Sequence, residues 1–162
     1  MKKALLALAL LVVAAVVGLA LTDKEMAPQA SFTTLEGENH QFAALRGKVV
    51  LVNFWATSCP GCIQEMPDLV KTHQAYEAKG YTTVAVAMSY DPPNFVREYV
   101  KTNRLPFMVA LDSDGGLARA FGEIQLTPTS ILIDKEGRIV KRYLGVPNFT
   151  ELNQLIEEKL KA

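Results

Sequence analysis

Phe54-Trp55-Ala56-Thr57-Ser58-Cys59-Pro60-Gly61-Cys62 joins the end of an apolar run to a Cys-x-x-Cys at the expected start of a helix, and it holds both cysteines of the 162-residue chain. Just upstream, residues 49–55 are almost continuously apolar, the pattern of a strand buried on both faces. Downstream, Ile63, Met66, Leu69, Val70, His73 and Tyr76 recur at three- and four-residue spacing. That spacing predicts an amphipathic helix ending near Lys79-Gly80, with a kink at Pro67. Residues 81–88 form a second β-branched run, so strand, helix and strand make a parallel, right-handed crossover.

Further along, Asp91-Pro92 reads as an N-cap followed by proline in the first turn of a helix that continues through Phe95, Val96, Tyr99 and Val100. Residues 107–111 read as a strand, 112–116 as a loop and 117–121 as a short helix. Residues 129–134 and 138–143 are two strands across the turn Lys135-Glu136-Gly137, and Leu152, Leu155, Ile156 and Leu160 give the last helix its buried face. Upstream of the central run, residues 32–35 and 39–42 form a small hairpin that turns at Gly37. Helices alternating with strands, then a terminal hairpin, predict a three-layer α/β sandwich on a mixed sheet.

The composition, 49% hydrophobic and 21% charged, is that of one packed domain rather than a disordered chain. Lys plus Arg and Asp plus Glu number 17 each, so neither a basic face for nucleic acid nor an acidic tail is indicated. Two cysteines with distant histidines at 40 and 73 lack zinc-finger spacing. Both histidines read as packing or surface residues.

Lys2 and Lys3 precede an uncharged run over residues 4–21, about 27 Å long as a helix and close to the hydrocarbon thickness of a bilayer. The lysines predict a cytoplasmic N-terminus and a translocated remainder. The run reads as an uncleaved anchor; the alternative is a signal peptide cut after Ala20, with Gly18 and Ala20 as the small residues. Either reading places the domain outside the cytoplasmic membrane, where disulfides persist. The polar, Pro-containing residues 22–30 suit a linker, so the division is 1–21 anchor or signal, 22–30 linker and 31–162 domain.

A cysteine at a helix N-terminus meets unpaired N–H groups and the positive end of the macrodipole, both favouring thiolate. Such thiols titrate at about 3.5 to 7.5, which makes Cys59 the nucleophile and Cys62, one turn on, the resolving thiol. Pro60 suits the first turn and Gly61 leaves little bulk over the sulfurs. The alternatives at this point are an inert disulfide and a metal clip; the loop between the cysteines is too short to contribute much chain-entropy stabilisation.

Residues 47–57, the Cys59-Pro60-Gly61-Cys62 centre, Glu65-Met66-Pro67 and the run from Leu126-Thr127-Pro128 to Asp134 together resemble the thioredoxin superfamily. Within it the chain is similar to the membrane-anchored extracytoplasmic TlpA/ResA-like thiol-disulfide oxidoreductases, which include cytochrome c maturation proteins. The resemblance covers about residues 28–160. It implies a thioredoxin-like sandwich with an N-terminal hairpin, a central helix-strand insertion over about residues 90–121, and one N-terminal transmembrane or signal helix. It also makes Thr127-Pro128 the cis-proline loop beside the cysteines, a sharp expectation because cis X-Pro bonds are uncommon. Glu65 becomes a carboxylate on the Cys62 face that exchanges a proton during turnover and raises the cysteine pKa; the alternative is a solvated charge in the first helical turn. Asn53 stands where cytoplasmic thioredoxins have a buried Asp and cannot serve as a base.

By the same resemblance Trp55, Ser58, Pro60, Gly61, Thr127 and Pro128 form the client-facing surface. Ser58 stands where many relatives have Trp, and Gly61 where Pro is more frequent, so redox poise and partner choice do not carry over. The implied activity is reduction of disulfides in extracytoplasmic proteins, apocytochrome c among the candidates, with electrons from a membrane thiol donor. The implied protein is a membrane-anchored monomer with no cofactor beyond the Cys59–Cys62 pair, no metal and no nucleic acid. Net thiol oxidation, a thiol peroxidase and a copper-binding chaperone are the alternatives. Val52 and Ala56 replace the Pro and Thr of peroxiredoxins, and a chaperone needs a His or Met beside the thiols.

Overall fold

The alternation of apolar runs with helical spacing resolves into the order β1 (Ser31–Thr33), β2 (Asn39–Gln41), a 3-10 turn (Phe42–Leu45), β3 (Val49–Trp55) and α1 (Pro60–Tyr76). A second 3-10 turn (Glu77–Lys79) leads to β4 (Tyr81–Ala87), α2 (Pro93–Asn103), β5 (Met108–Leu111), α3 (Gly116–Ala120), β6 (Thr129–Ile133), β7 (Ile139–Leu144) and α4 (Phe149–Lys161). The computed structural model describes residues 25–162. The expected anchor or signal over residues 1–21, and residues 22–24 of the expected linker, lie outside the described residues. Among the described residues no helix is long and apolar enough to cross a membrane.

The main sheet has the order β5-β4-β3-β6-β7, with β3, β4 and β5 parallel and β6 and β7 antiparallel to their neighbours. β3 is central and all seven of its residues are buried, as its continuous apolar run predicts. Strand alternation divides them between two cores. Val49, Leu51 and Trp55 pack with α1, α2 and α4, through Met66, Leu69, Val96, Leu152 and Ile156 among others. Val50, Val52 and Phe54 pack with Phe32, Phe42, Leu117 and Phe121 under the hairpin and α3. The helices on one face and the hairpin with α3 on the other make the three layers. Asn53 falls on the α1 side by the same alternation, and this fixes what it meets.

Both sheet edges are partly covered, which reduces the exposed pairing groups. At the β5 edge Thr34 bridges Ala110 and the Leu35 N–H reaches the Val109 carbonyl (2.9 Å). At the β7 edge Met26 bridges Arg138, the Ala27 N–H reaches the Gly137 carbonyl (2.8 Å) and the Ile139 N–H reaches the Glu25 carbonyl (2.7 Å). Residues 25–27, expected as part of the linker, therefore pair with the domain: the backbone of the terminal hairpin supplies partners that residue polarity did not reveal.

α1 runs unbroken through Pro67 to Tyr76, and the chain leaves the second 3-10 turn at Gly80, whose φ of 95° is left-handed and suits glycine. Asp91 does not cap α2. Pro92 occupies the cap position without a side-chain bond, and Pro93 opens the helix. α3 begins at Gly116, with the Asp112 carboxylate accepting the Leu117 and Ala118 N–H groups at 2.9 and 2.8 Å. Asn148 caps α4 by accepting the Glu151 N–H.

Candidate active site

β3 ends at Trp55, and Ala56 to Cys59 forms a tight turn closed by the Cys59 N–H on the Ala56 carbonyl (3.2 Å). Cys59 is the N-cap of α1, with extended backbone (φ −96°, ψ 109°), and its Sγ accepts the Cys62 N–H at 3.2 Å. Pro60 takes the first helical position, where a missing N–H costs nothing. The two cysteines are joined as a disulfide across a Cα separation of 5.3 Å. They differ in access: Cys59 is half-buried, whereas Cys62 is fully buried among the residues facing the sheet. Of the two cysteines only Cys59 is open to solvent.

Cys62, Glu65, Met66, Leu69 and His73 share the buried face of α1. Glu65 is 1% exposed, so the solvated alternative falls; α1 begins at Pro60 and places Glu65 in its second turn, turned inward. Its Oε1 accepts a hydrogen bond from Asn53 Nδ2 at 2.7 Å, and the same Nδ2 donates to Ser130 Oγ at 2.9 Å. Glu65 Oε2 and Asn53 Oδ1 are buried without partners among the described residues. Burial pushes the Glu65 carboxyl from its ordinary 4.5 up to about 7, outweighing the opposing effect of the Asn53 hydrogen bond. A carboxyl there changes protonation near neutral pH, the range in which a general acid-base group is most useful.

The Thr127–Pro128 peptide bond is cis. Pro128 packs on the helix start: a Cβ placed on Gly61 would lie 3.4 Å from Pro128 Cδ and 3.6 Å from Val146 Cγ2. The Pro128 carbonyl accepts the Gly145 N–H (2.8 Å) and Thr129 Oγ1 donates to the Leu126 carbonyl (2.8 Å), fixing the loop on both sides. Cys59, Pro60, Gly61, Thr127 and Pro128 thus converge, with Ser58 and Pro60 exposed on the outer rim. Trp55 does not face a client. It is fully buried, with its ring 5.3 Å from that of Tyr99, because strand alternation turns it into the core beneath the turn.

Two residues at the site gave no usable signal in the sequence. Ser130 lies 77 positions from Asn53 and is found only through the pairing of β3 with β6, which sets Asn53 opposite Ser130. Asp91 accepts from the Thr57 backbone N–H and hydroxyl, each at 2.6 Å; its local pattern, Asp before Pro, pointed instead to a helix cap. The histidines stand apart from the cysteines. His40 stacks on Phe32 in the hairpin and His73 packs edge-on to Phe107.

The sequence model of the Redoxin family matches residues 22–156. Over 135 residues the chain is 35% identical to the thiol-disulfide oxidoreductase ResA of Bacillus thuringiensis subsp. konkukian, covering 83% of this chain and 75% of that protein. A solution structure of a candidate thioredoxin from Neisseria meningitidis superposes with a TM-score of 0.79 at 45% identity, covering 86% of this chain and 92% of that one. A thiol:disulfide interchange protein of the thioredoxin family from Chlorobium tepidum TLS superposes with a TM-score of 0.78 at 30% identity, covering 86% and 98%. With the dithiol site at a helix N-terminus and this fold around it, the chain belongs to the Redoxin family as a ResA/TlpA-like thiol-disulfide oxidoreductase of the thioredoxin superfamily.

Proposed function

We propose that the chain works as a reductant of disulfides in proteins outside the cytoplasmic membrane, with apocytochrome c among its clients. The Cys59 thiolate attacks one sulfur of a client disulfide, forming a mixed disulfide and releasing the other client sulfur as thiolate. Cys62 then gives up its proton and attacks Cys59 Sγ, releasing the second client thiolate. Two electrons pass to the client, and the Cys59–Cys62 disulfide remains.

The observation that carries this reading is the buried Glu65 carboxyl, sharing a helix face with the shielded Cys62 and titrating near 7. Such a group takes the Cys62 proton at neutral pH and returns it when the pair is reduced again. The reset requires a dithiol donor, and a membrane thiol donor fits a domain tethered through residues 1–21. The exposed Ser58 and Pro60, with Gly61 and the Thr127-Pro128 loop, are the surface against which the client chain lies.

Insulin reduction by the full-length protein tests the reading, with dithiothreitol as donor. Wild type accelerates the reaction and Cys59→Ala leaves only the donor's background rate; full activity in Cys59→Ala overturns it. The measured reduction potential separates this reading from net thiol oxidation: a value near that of strong oxidants, about −120 mV, overturns it.

A further inference from the structure

The loop after β4 touches both sides of the dithiol site. Asp91 is 4% exposed, and its two carboxylate oxygens hold one residue: Oδ2 accepts the Thr57 backbone N–H and Oδ1 accepts the Thr57 hydroxyl, each at 2.6 Å. Charge-assisted hydrogen bonds of this length are about twice as strong as neutral ones. Thr57 is the second residue of the Ala56 to Cys59 turn, two positions before the attacking sulfur. The loop is itself anchored, with the Asp91 N–H on the Met88 carbonyl (2.9 Å) and the Met88 N–H on the Trp55 carbonyl (3.0 Å). On its other side the Tyr90 hydroxyl lies 3.2 Å from that of Thr127, the residue before Pro128. Neighbouring residues of one loop therefore grip the cysteine turn and the cis-proline loop.

We propose that Asp91 is a positioning residue of the redox site: its carboxylate fixes Thr57, and with it the turn that presents Cys59 to an incoming disulfide. The proposal rests on Cys59 being the attacking thiol. Helix propensity does not explain the arrangement, because the carboxylate leaves α2 uncapped in order to reach across to Thr57. Displacement of a reacting group by about 1 Å lowers rates on the order of 100-fold, so a turn held at one side only is a strong lever.

The test measures the second-order rate constant of the reduced full-length protein with 5,5′-dithiobis(2-nitrobenzoate) at 25 °C, alongside near-UV circular dichroism and the melting curve of the oxidised form. Asp91→Ala is expected to react at least tenfold more slowly while native by circular dichroism. Asp91→Asn retains both contacts as neutral bonds, its carbonyl accepting the Thr57 N–H and its amide donating to the hydroxyl, and restores the rate to within threefold of wild type. Thr57→Val loses at least threefold and Thr57→Ser does not; Asp91→Ala/Thr57→Val is no slower than Asp91→Ala alone. A folded Asp91→Ala within threefold of wild type overturns the proposal, as does a double variant in which the two losses multiply. Should Asp91→Ala not fold, Thr57→Val decides alone: a wild-type rate in that variant overturns it. If Cys59→Ala reacts as fast as wild type, the reading of Cys59 itself fails, an outcome distinct from all of these.

Discussion

Replacing Glu65 with Gln should remove a pH dependence of stability whose size follows from its surroundings. The carboxyl is 1% exposed and accepts one hydrogen bond, from Asn53. In the unfolded chain it titrates at its ordinary 4.5 and in the folded protein at about 7. Below pH 4.5 it is protonated in both states and takes nothing from stability. Between 4.5 and 7 the unfolded chain releases the proton while the folded protein keeps it, so stability falls as pH rises; above 7 the loss is complete. At 1.36 kcal/mol for each step of one in pKa, the full loss is about 3 kcal/mol, of which about 2.5 kcal/mol falls between pH 5 and 8. Gln resembles the protonated carboxyl in shape, accepts from Asn53 and does not titrate. Urea unfolding of the oxidised protein, with the thiols locked as disulfide, should show Glu65→Gln gaining about 2 to 3 kcal/mol on wild type between pH 5 and pH 8. Contributions common to both proteins cancel in the difference. Curves that stay parallel within about 0.5 kcal/mol across that range would refute the argument that burial governs this carboxyl.

Three other outcomes follow from the same contacts. Asn53→Ala leaves Glu65 Oε1 and Ser130 Oγ without their shared donor and should cost about 1 to 3 kcal/mol at pH 6, with a larger loss at pH 8 because the one interaction that lowers the Glu65 pKa is gone; chemical denaturation at both values reads this. His73 is 2% exposed and burial lowers its pKa below 6.5, against the opposing charge of Glu77, so folding holds it neutral and stability is lost as pH falls below 6.5. In His73→Gln that acid-side loss should vanish in thermal melts between pH 5 and 7. Gly61→Ala adds a methyl at ordinary contact distance from Pro128 and should change stability by less than about 1 kcal/mol while raising KM for reduced insulin formation, since it narrows the gap between the helix start and the cis-proline loop.

The parts legible in the sequence were those written in local pattern. The unbroken apolar run of β3, the three- and four-residue spacing of α1 and the tight turn before β7 each specify an element without help from the rest of the chain. The cysteine pair was legible because its chemistry depends on neighbours in sequence, whereas the cis Thr127-Pro128 peptide was legible only through the family resemblance. Contacts made by topology were not. Asn53 was readable as a group unable to act as a base, yet its role as the donor that joins Glu65 to Ser130 depends on the β3 to β6 register. Asp91 was misassigned because an aspartate before proline is a sound local cap signal, and only the crossover that brings β4 beside β3 puts Thr57 within its reach. Trp55 belongs to the motif but points inward, since a seven-residue strand with Val49 and Leu51 facing α1 turns Trp55 the same way. Residues 25–27 carry no strand pattern of their own and are paired by the backbone of the terminal hairpin.

The division of labour between an accessible Cys59 and a shielded Cys62 is most directly tested by trapping. Full-length Cys62→Ser, expressed in its host and isolated under acid quench, should carry covalently bound client proteins that thiol reductant releases, with the linkage mapping to Cys59. Cys59→Ser expressed in the same way should carry none, because the remaining thiol is buried behind the helix start. Equal trapping by both variants, or clients linked to Cys62 alone, would contradict the account.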